Sequence, residues 1–164
     1  MRNLLFALLL LLPAAFPAIA AERPDDARSL QGIEEGRILW DVTLDDPGRL
    51  LSRLKVVEQT YRDLERQGVE PRMLLAFRSG AVRLLAEDLD RVELAEEPAV
   101  RQVQRKLVEL ARLEGVTRIE ACSLATRRVE LSQEDLVEPV VEVGNTFLTA
   151  AAYAQRGYAR IRLD

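Results

Sequence analysis

Apolar residues along this chain recur in two rhythms that alternate, compact runs and steps of three and four. Arg37 to Thr43 reads Arg-Ile-Leu-Trp-Asp-Val-Thr, a compact and partly β-branched strand signal. Asp45-Asp46-Pro47 then starts a helix, with aspartate as cap and proline in the first turn. Leu50, Leu54, Val57, Tyr61 and Leu64 follow at steps of four and three, which makes one helix face, and Gly68 closes it. Val69 to Phe77 is a buried-strand run, broken by Ser79-Gly80. Val82 and Leu85 mark a short helix, and Glu87 to Pro98 is an acidic excursion. Val100, Val103, Leu107 and Leu110 mark a third helix stopped by Gly115. Val116 to Ala121 is a strand ending at Cys122, and polar Ser123 to Leu136 has room for one or two helical turns. Val140 to Val143 is a strand, Asn145 caps a helix running to Ala154, and Tyr158 to Leu163 alternates as a last strand.

Five strands alternating with helices predict a parallel sheet with right-handed crossovers. The expected fold is α/β, three-layered and flavodoxin-like, with a mostly parallel five-stranded sheet. Three segments follow: a signal peptide over 1–20, a polar leader over 21–36 and a single domain over 37–164.

The signal peptide rests on the N-terminus. Met1-Arg2-Asn3 is followed by an apolar run from Leu4 to Leu12, then Pro13, and a small-residue tail ends Ala18-Ile19-Ala20. A positive start, a short apolar run and an Ala-x-Ala site are the parts of a cleavable secretory signal. The expected cleavage follows Ala20 and delivers the chain to the periplasm. An uncleaved anchor is the alternative, but Leu4 to Ala21 is barely long enough to span and carries Pro13 and Pro17. The cleavage site has no cysteine to carry a lipoprotein anchor.

Composition narrows the chemistry. Among 164 residues, 23 are basic and 27 acidic, for a formal charge of -4, which argues against general nucleic-acid binding. The absence of histidine removes Ser-His-Asp and Cys-His catalysis and imidazole-based zinc sites. One cysteine allows neither an intrachain disulfide nor a cysteine metal cluster. No metal and no cofactor is expected.

Ligands of open α/β sheets bind at the carboxyl ends of strands. After the first strand, Asp45 and Asp46 would repel a flavin or nucleotide phosphate. An acidic pair there also suits a phosphate-accepting receiver domain. That reading fails because the third strand ends in Cys122 and the only lysines, Lys55 and Lys106, fall in predicted helices. Helix capping is what remains for Asp45 and Asp46. Cys122 is the chemical focus. Helix amides and the neighbouring Arg127 and Arg128 favour a thiolate, which could attack sulfane sulfur or carry a persulfide. With no histidine as general base, any reactivity must come from a depressed thiol pKa. The expected pocket joins Ser79 and Gly80 from the second strand end to Thr126 and Arg127 after the cysteine, with Cys122 partly reachable by solvent. A buried cysteine that only packs is the competing reading.

From Arg37 to Leu163 the chain resembles the DsrE/DsrF-like family of small sulfur-relay proteins. The likeness rests on the first strand running into Asp45-Asp46-Pro47, on Ala76-Phe77-Arg78-Ser79-Gly80 before a short apolar helix, on Ile119-Glu120-Ala121-Cys122-Ser123, and on Gly157-Tyr158-Ala159-Arg160-Ile161. Where such members often carry a histidine, this chain has Arg78 and Ser79. The resemblance implies a five-stranded α/β fold, assembly into homotrimers or homohexamers, and a sulfur-carrying role for Cys122. Two function classes follow. One is an exported thiol-based sulfur carrier or transferase, with a sulfur donor or acceptor protein as partner. The other is a non-catalytic oligomeric binding subunit in which Cys122 is structural. Neither involves nucleic acid or a stable membrane anchor.

Overall fold

A computed structural model describes residues 24–90 and 97–164. The expected signal peptide lies outside the described residues, as does the middle of the acidic excursion. No helix among the described residues is long and apolar enough to cross a membrane.

The described residues form five strands, β1 (Glu35–Val42), β2 (Glu70–Phe77), β3 (Val116–Cys122), β4 (Val140–Val143) and β5 (Ala159–Leu163). Its α-helices are α1 (Pro47–Arg66), α2 (Glu97–Ala111), α3 (Ser123–Thr126) and α4 (Thr146–Gln155), and a 3-10 helix spans Ser79–Leu85. All strand pairs are parallel, in the order β4-β3-β2-β1-β5. The protein is therefore the α/β, three-layer, flavodoxin-like sheet that the alternating rhythm predicts.

Chain direction explains the layering. From β1 to β4 each strand is laid down beside the last in one direction, and β5 returns to the opposite edge. Right-handed crossovers then place α1 and α2 on one face and α4 on the other. On the first face, Leu50, Leu54, Val57, Tyr61 and Leu64 of α1 and Val100, Val103, Leu107 and Leu110 of α2 pack onto Trp40, Val42, Met73, Leu75, Phe77, Ile119 and Ala121. Each fully buried aliphatic side chain contributes about 1.5–3 kcal/mol, so this face dominates the stability. The second face carries a smaller apolar cluster, in which Leu39, Leu74 and Ala76 pack against Ala150, Tyr153 and Tyr158.

Local signals act as expected at both capped helices. Asp46 Oδ1 accepts from Arg49 N at 2.7 Å, and Asn145 Oδ1 accepts from Phe147 N at 2.9 Å. The first strand begins earlier than the polar leader suggested. Glu35 and Gly36 pair in register with Glu70 and Pro71, because backbone ladders need no apolar side chains. Gly36 is a place of close approach, since a Cβ there would lie 2.6 Å from Leu64 Cδ1.

Candidate functional site at the ends of β3 and β4

The chain leaves β3 toward the α2 side of the sheet and leaves β4 toward α4. Strand ends whose connections diverge in this way open a crevice, the usual ligand position in open α/β sheets. Cys122 ends β3 and Thr146 begins α4, so the two meet in that crevice. The Ser123 hydroxyl donates to Gly144 O at 2.9 Å and ties the two loops together.

The crevice is a cavity of about 370 Å³ lined by Arg78, Ser79, Gly80, Cys122, Leu124, Ala125, Arg128, Val129 and Phe147. That volume is within the range of small-molecule sites. Cys122 is 2% exposed and packs against the main core, so it forms part of the floor. The expected partial exposure is corrected here: α3 begins immediately after the cysteine and folds back over it, where an extended loop would have left it open.

The environment of the sulfur favours its anion. Burial pushes the Cys122 thiol up. Hydrogen bonds from the Thr146 amide and hydroxyl and from the Leu124 and Ala125 amides outweigh burial, and the thiol lies below its ordinary range. Thr146 is itself buried, and its hydroxyl has no hydrogen bond of ordinary geometry. Ionising the thiol supplies the strong acceptor that this hydroxyl otherwise lacks.

Arg78 closes one side. Its Nε and Nη2 donate to Asp41 Oδ1 and Oδ2 at 2.7 and 2.8 Å, and its guanidinium lies 5.0 Å from the Phe147 ring centre. Arg160 also donates to Asp41 Oδ2, at 3.1 Å from Nε and 2.5 Å from Nη2. Burial pushes the Asp41 carboxyl up, but the hydrogen bonds from Arg78 and Arg160 prevail and hold it below the usual carboxylate range. The Asp41 hydrogen bonds, with a smaller contribution from the charge of Cys122, keep Arg78 firmly protonated. One carboxylate thus serves two guanidinium groups, leaving net positive charge beside the thiol.

Comparison with known proteins adds a fold and no activity. No family model matches the chain. An uncharacterised protein of Aquifex aeolicus is 23% identical over 124 residues, covering 75% of this chain. The chain spans about half (54%) of that relative's length. A solved structure, the protein of unknown function MTH1491 from Methanobacterium thermoautotrophicum, superposes with a TM-score of 0.57 at 23% identity. The match covers 78% of this chain and 99% of that one, and shows a shared fold.

Of the residues expected at the site, Ser79, Gly80 and Cys122 come together and Thr126 and Arg127 do not. Residues 123–129 coil as α3 and a 3-10 turn, so Leu124 and Arg128, and Ala125 and Val129, share the pocket side at i,i+4 spacing. Thr126 is buried elsewhere, its hydroxyl bonded to Ser123 O and to the Glu142 carboxylate. Arg127 is exposed and does not line the cavity. Thr146, Phe147 and Asp41 were not expected. The only signal for Asp41 is a carboxylate set between Trp40 and Val42 in an otherwise apolar strand.

Proposed function

We propose that this protein is an exported thiol-based sulfur carrier or transferase, with Cys122 as the acceptor. The observation that carries the reading is the single cysteine at a strand end on the floor of a lined cavity, its thiol held below the ordinary range by the amides of Leu124, Ala125 and Thr146 and by the buried Thr146 hydroxyl. Such surroundings shift the thiol toward its anion without a general base, and the chain has no histidine to act as one. The thiolate attacks the outer sulfur of a persulfide R–S–SH. The Cys122 Sγ–S bond forms as the R–S bond to that sulfur breaks, and the electron pair leaves with R–S⁻. The products are Cys122–S–SH and a thiolate, which takes a proton from water, with no net oxidation.

Mass measurement of the mature protein after incubation with a persulfide donor tests this. A gain of one sulfur that is lost in Cys122→Ser supports the reading. The export element is tested by the N-terminus of periplasmic protein, expected at Ala21. An intact Met1 in the membrane fraction would replace it with the anchor reading.

A second reading is favoured by the 2% exposure of Cys122 and by the apolar surface of α4, where Phe147 and Leu148 are 51% and 69% exposed. It is a homotrimeric or homohexameric binding subunit whose cysteine is structural. Labelling of Cys122 by iodoacetamide only in denaturant would favour it.

A further inference from the structure

We infer that the Cys122 pocket selects its donor by charge and takes small anionic sulfane-sulfur compounds, organic persulfides or thiosulfonates with a short apolar stem and an acidic tail. The inference rests on the proposed thiol chemistry and adds the class of substrate.

Two guanidinium groups, Arg78 and Arg128, reach the cavity wall, and no carboxylate among the described residues lines it. The chain as a whole carries a net charge of -4, so this wall runs against the average. The acidic groups around it do not cancel the charge. Asp41 stands behind Arg78 and is shared with Arg160. Asp45 stands behind Gly80, its Oδ2 2.6 Å from where a Cβ at that glycine would lie, and is itself exposed. Arg128 forms no ion pair among the described residues.

Arg78 is prepared for an anion. Its Asp41 bonds use Nε and Nη2, and Phe147 fixes the plane of the group. Nη1 makes no hydrogen bond among the described residues and remains for a further acceptor. A guanidinium held in place in this way loses little side-chain entropy on binding. Leu124, Ala125, Val129 and Phe147 form an apolar stretch of the wall, which suits a hydrocarbon stem, and no carboxylate among the described lining residues is there to hold a cationic tail. The buried Thr146 hydroxyl and the sulfur at the floor fix where the reacting end must lie.

Methanethiosulfonate reagents test the inference. In each, Cys122 thiolate attacks the sulfenyl sulfur, a mixed disulfide forms and methanesulfinate leaves with the electron pair. Rates for the anionic sulfonatoethyl, neutral methyl and cationic trimethylammonioethyl reagents are measured on the native protein and divided by those for free cysteine. The normalised rate for the anionic reagent should exceed that for the cationic one by about tenfold at low ionic strength. Arg128→Gln should reduce that ratio to about threefold or less, whereas Arg105→Gln, the same change of charge on α2, should leave it. Equal normalised rates, a cationic preference, or reaction with the methyl reagent alone would overturn charge selection while leaving the thiol chemistry standing. Failure of all three on native protein, with rapid reaction in denaturant, would overturn both.

Discussion

Arg78 and Asp41 form a two-pronged ion pair at the ends of β2 and β1, with N–O distances of 2.7 and 2.8 Å. Asp41 is almost fully buried and the Arg78 side chain is 19% exposed, so the pair is well shielded from water. It joins the central strands to the wall of the thiol pocket.

Asp41→Asn should therefore destabilise the fold by about 2 kcal/mol, since it strands a partly buried guanidinium; the cost is held down because Arg160 remains in contact with water. The pH dependence has a definite sign. The folded carboxyl lies below its ordinary value, so its contribution is present above the unfolded carboxylate pKa and is lost as pH falls through the lower folded value. Urea midpoints of wild type and variant should converge between pH 7 and pH 3. A constant gap across that range would show that Asp41 does not act through its charge.

Thr146→Val should slow iodoacetamide labelling of Cys122 at pH 7 by about tenfold, as expected for loss of a hydrogen bond to a charged acceptor. Below the thiol pKa the same change should be neutral or slightly stabilising, because it removes a buried hydroxyl without a partner. The stabilisation from the depressed thiol grows as pH rises through its folded value and is complete above the unfolded one. A labelling profile unchanged in Thr146→Val would show that the hydroxyl plays no part in ionising Cys122.

Gly115→Ala should cost at least about 3 kcal/mol and lower Tm by roughly 10 °C. Gly115 has φ +83°, and a Cβ there would lie 1.9 Å from Pro71 O, with rigid backbone on both sides. Its own carbonyl accepts from Met73 N at 2.8 Å and starts the β2–β3 register. Thermal unfolding by circular dichroism gives the answer, and a variant as stable as wild type would contradict the contact.

Assembly through α4 predicts that Leu148→Asp disperses the oligomer. Leu148 and Phe147 in the first turn, with Leu124 beside Phe147 at the cavity wall, leave this side of the protein apolar and exposed. Light scattering should show wild type at a multiple of the chain mass and the variant at the chain mass. A monomeric wild type at micromolar concentration would end the assembly reading.

The order and type of every strand and of the long helices could be read from periodicity. A buried stripe on α1 needs apolar residues at Leu50, Leu54, Val57, Tyr61 and Leu64 wherever the helix packs, and Asp46 and Asn145 cap through bonds to their own chain neighbours. Cys122 at a strand end, and Ser79 and Gly80 at the next, were visible for the same local reason. The polar part of the site was not. Thr146 is 24 residues beyond Cys122, and only the opposite exits of β3 and β4 bring them together. Asp41 finds Arg78 and Arg160 across three strands, a register set by backbone pairing and not by side-chain type. Arg128 replaces Arg127 at the pocket because a helical turn advances each side chain by about 100°, and a rotation of one residue decides which guanidinium faces the thiol.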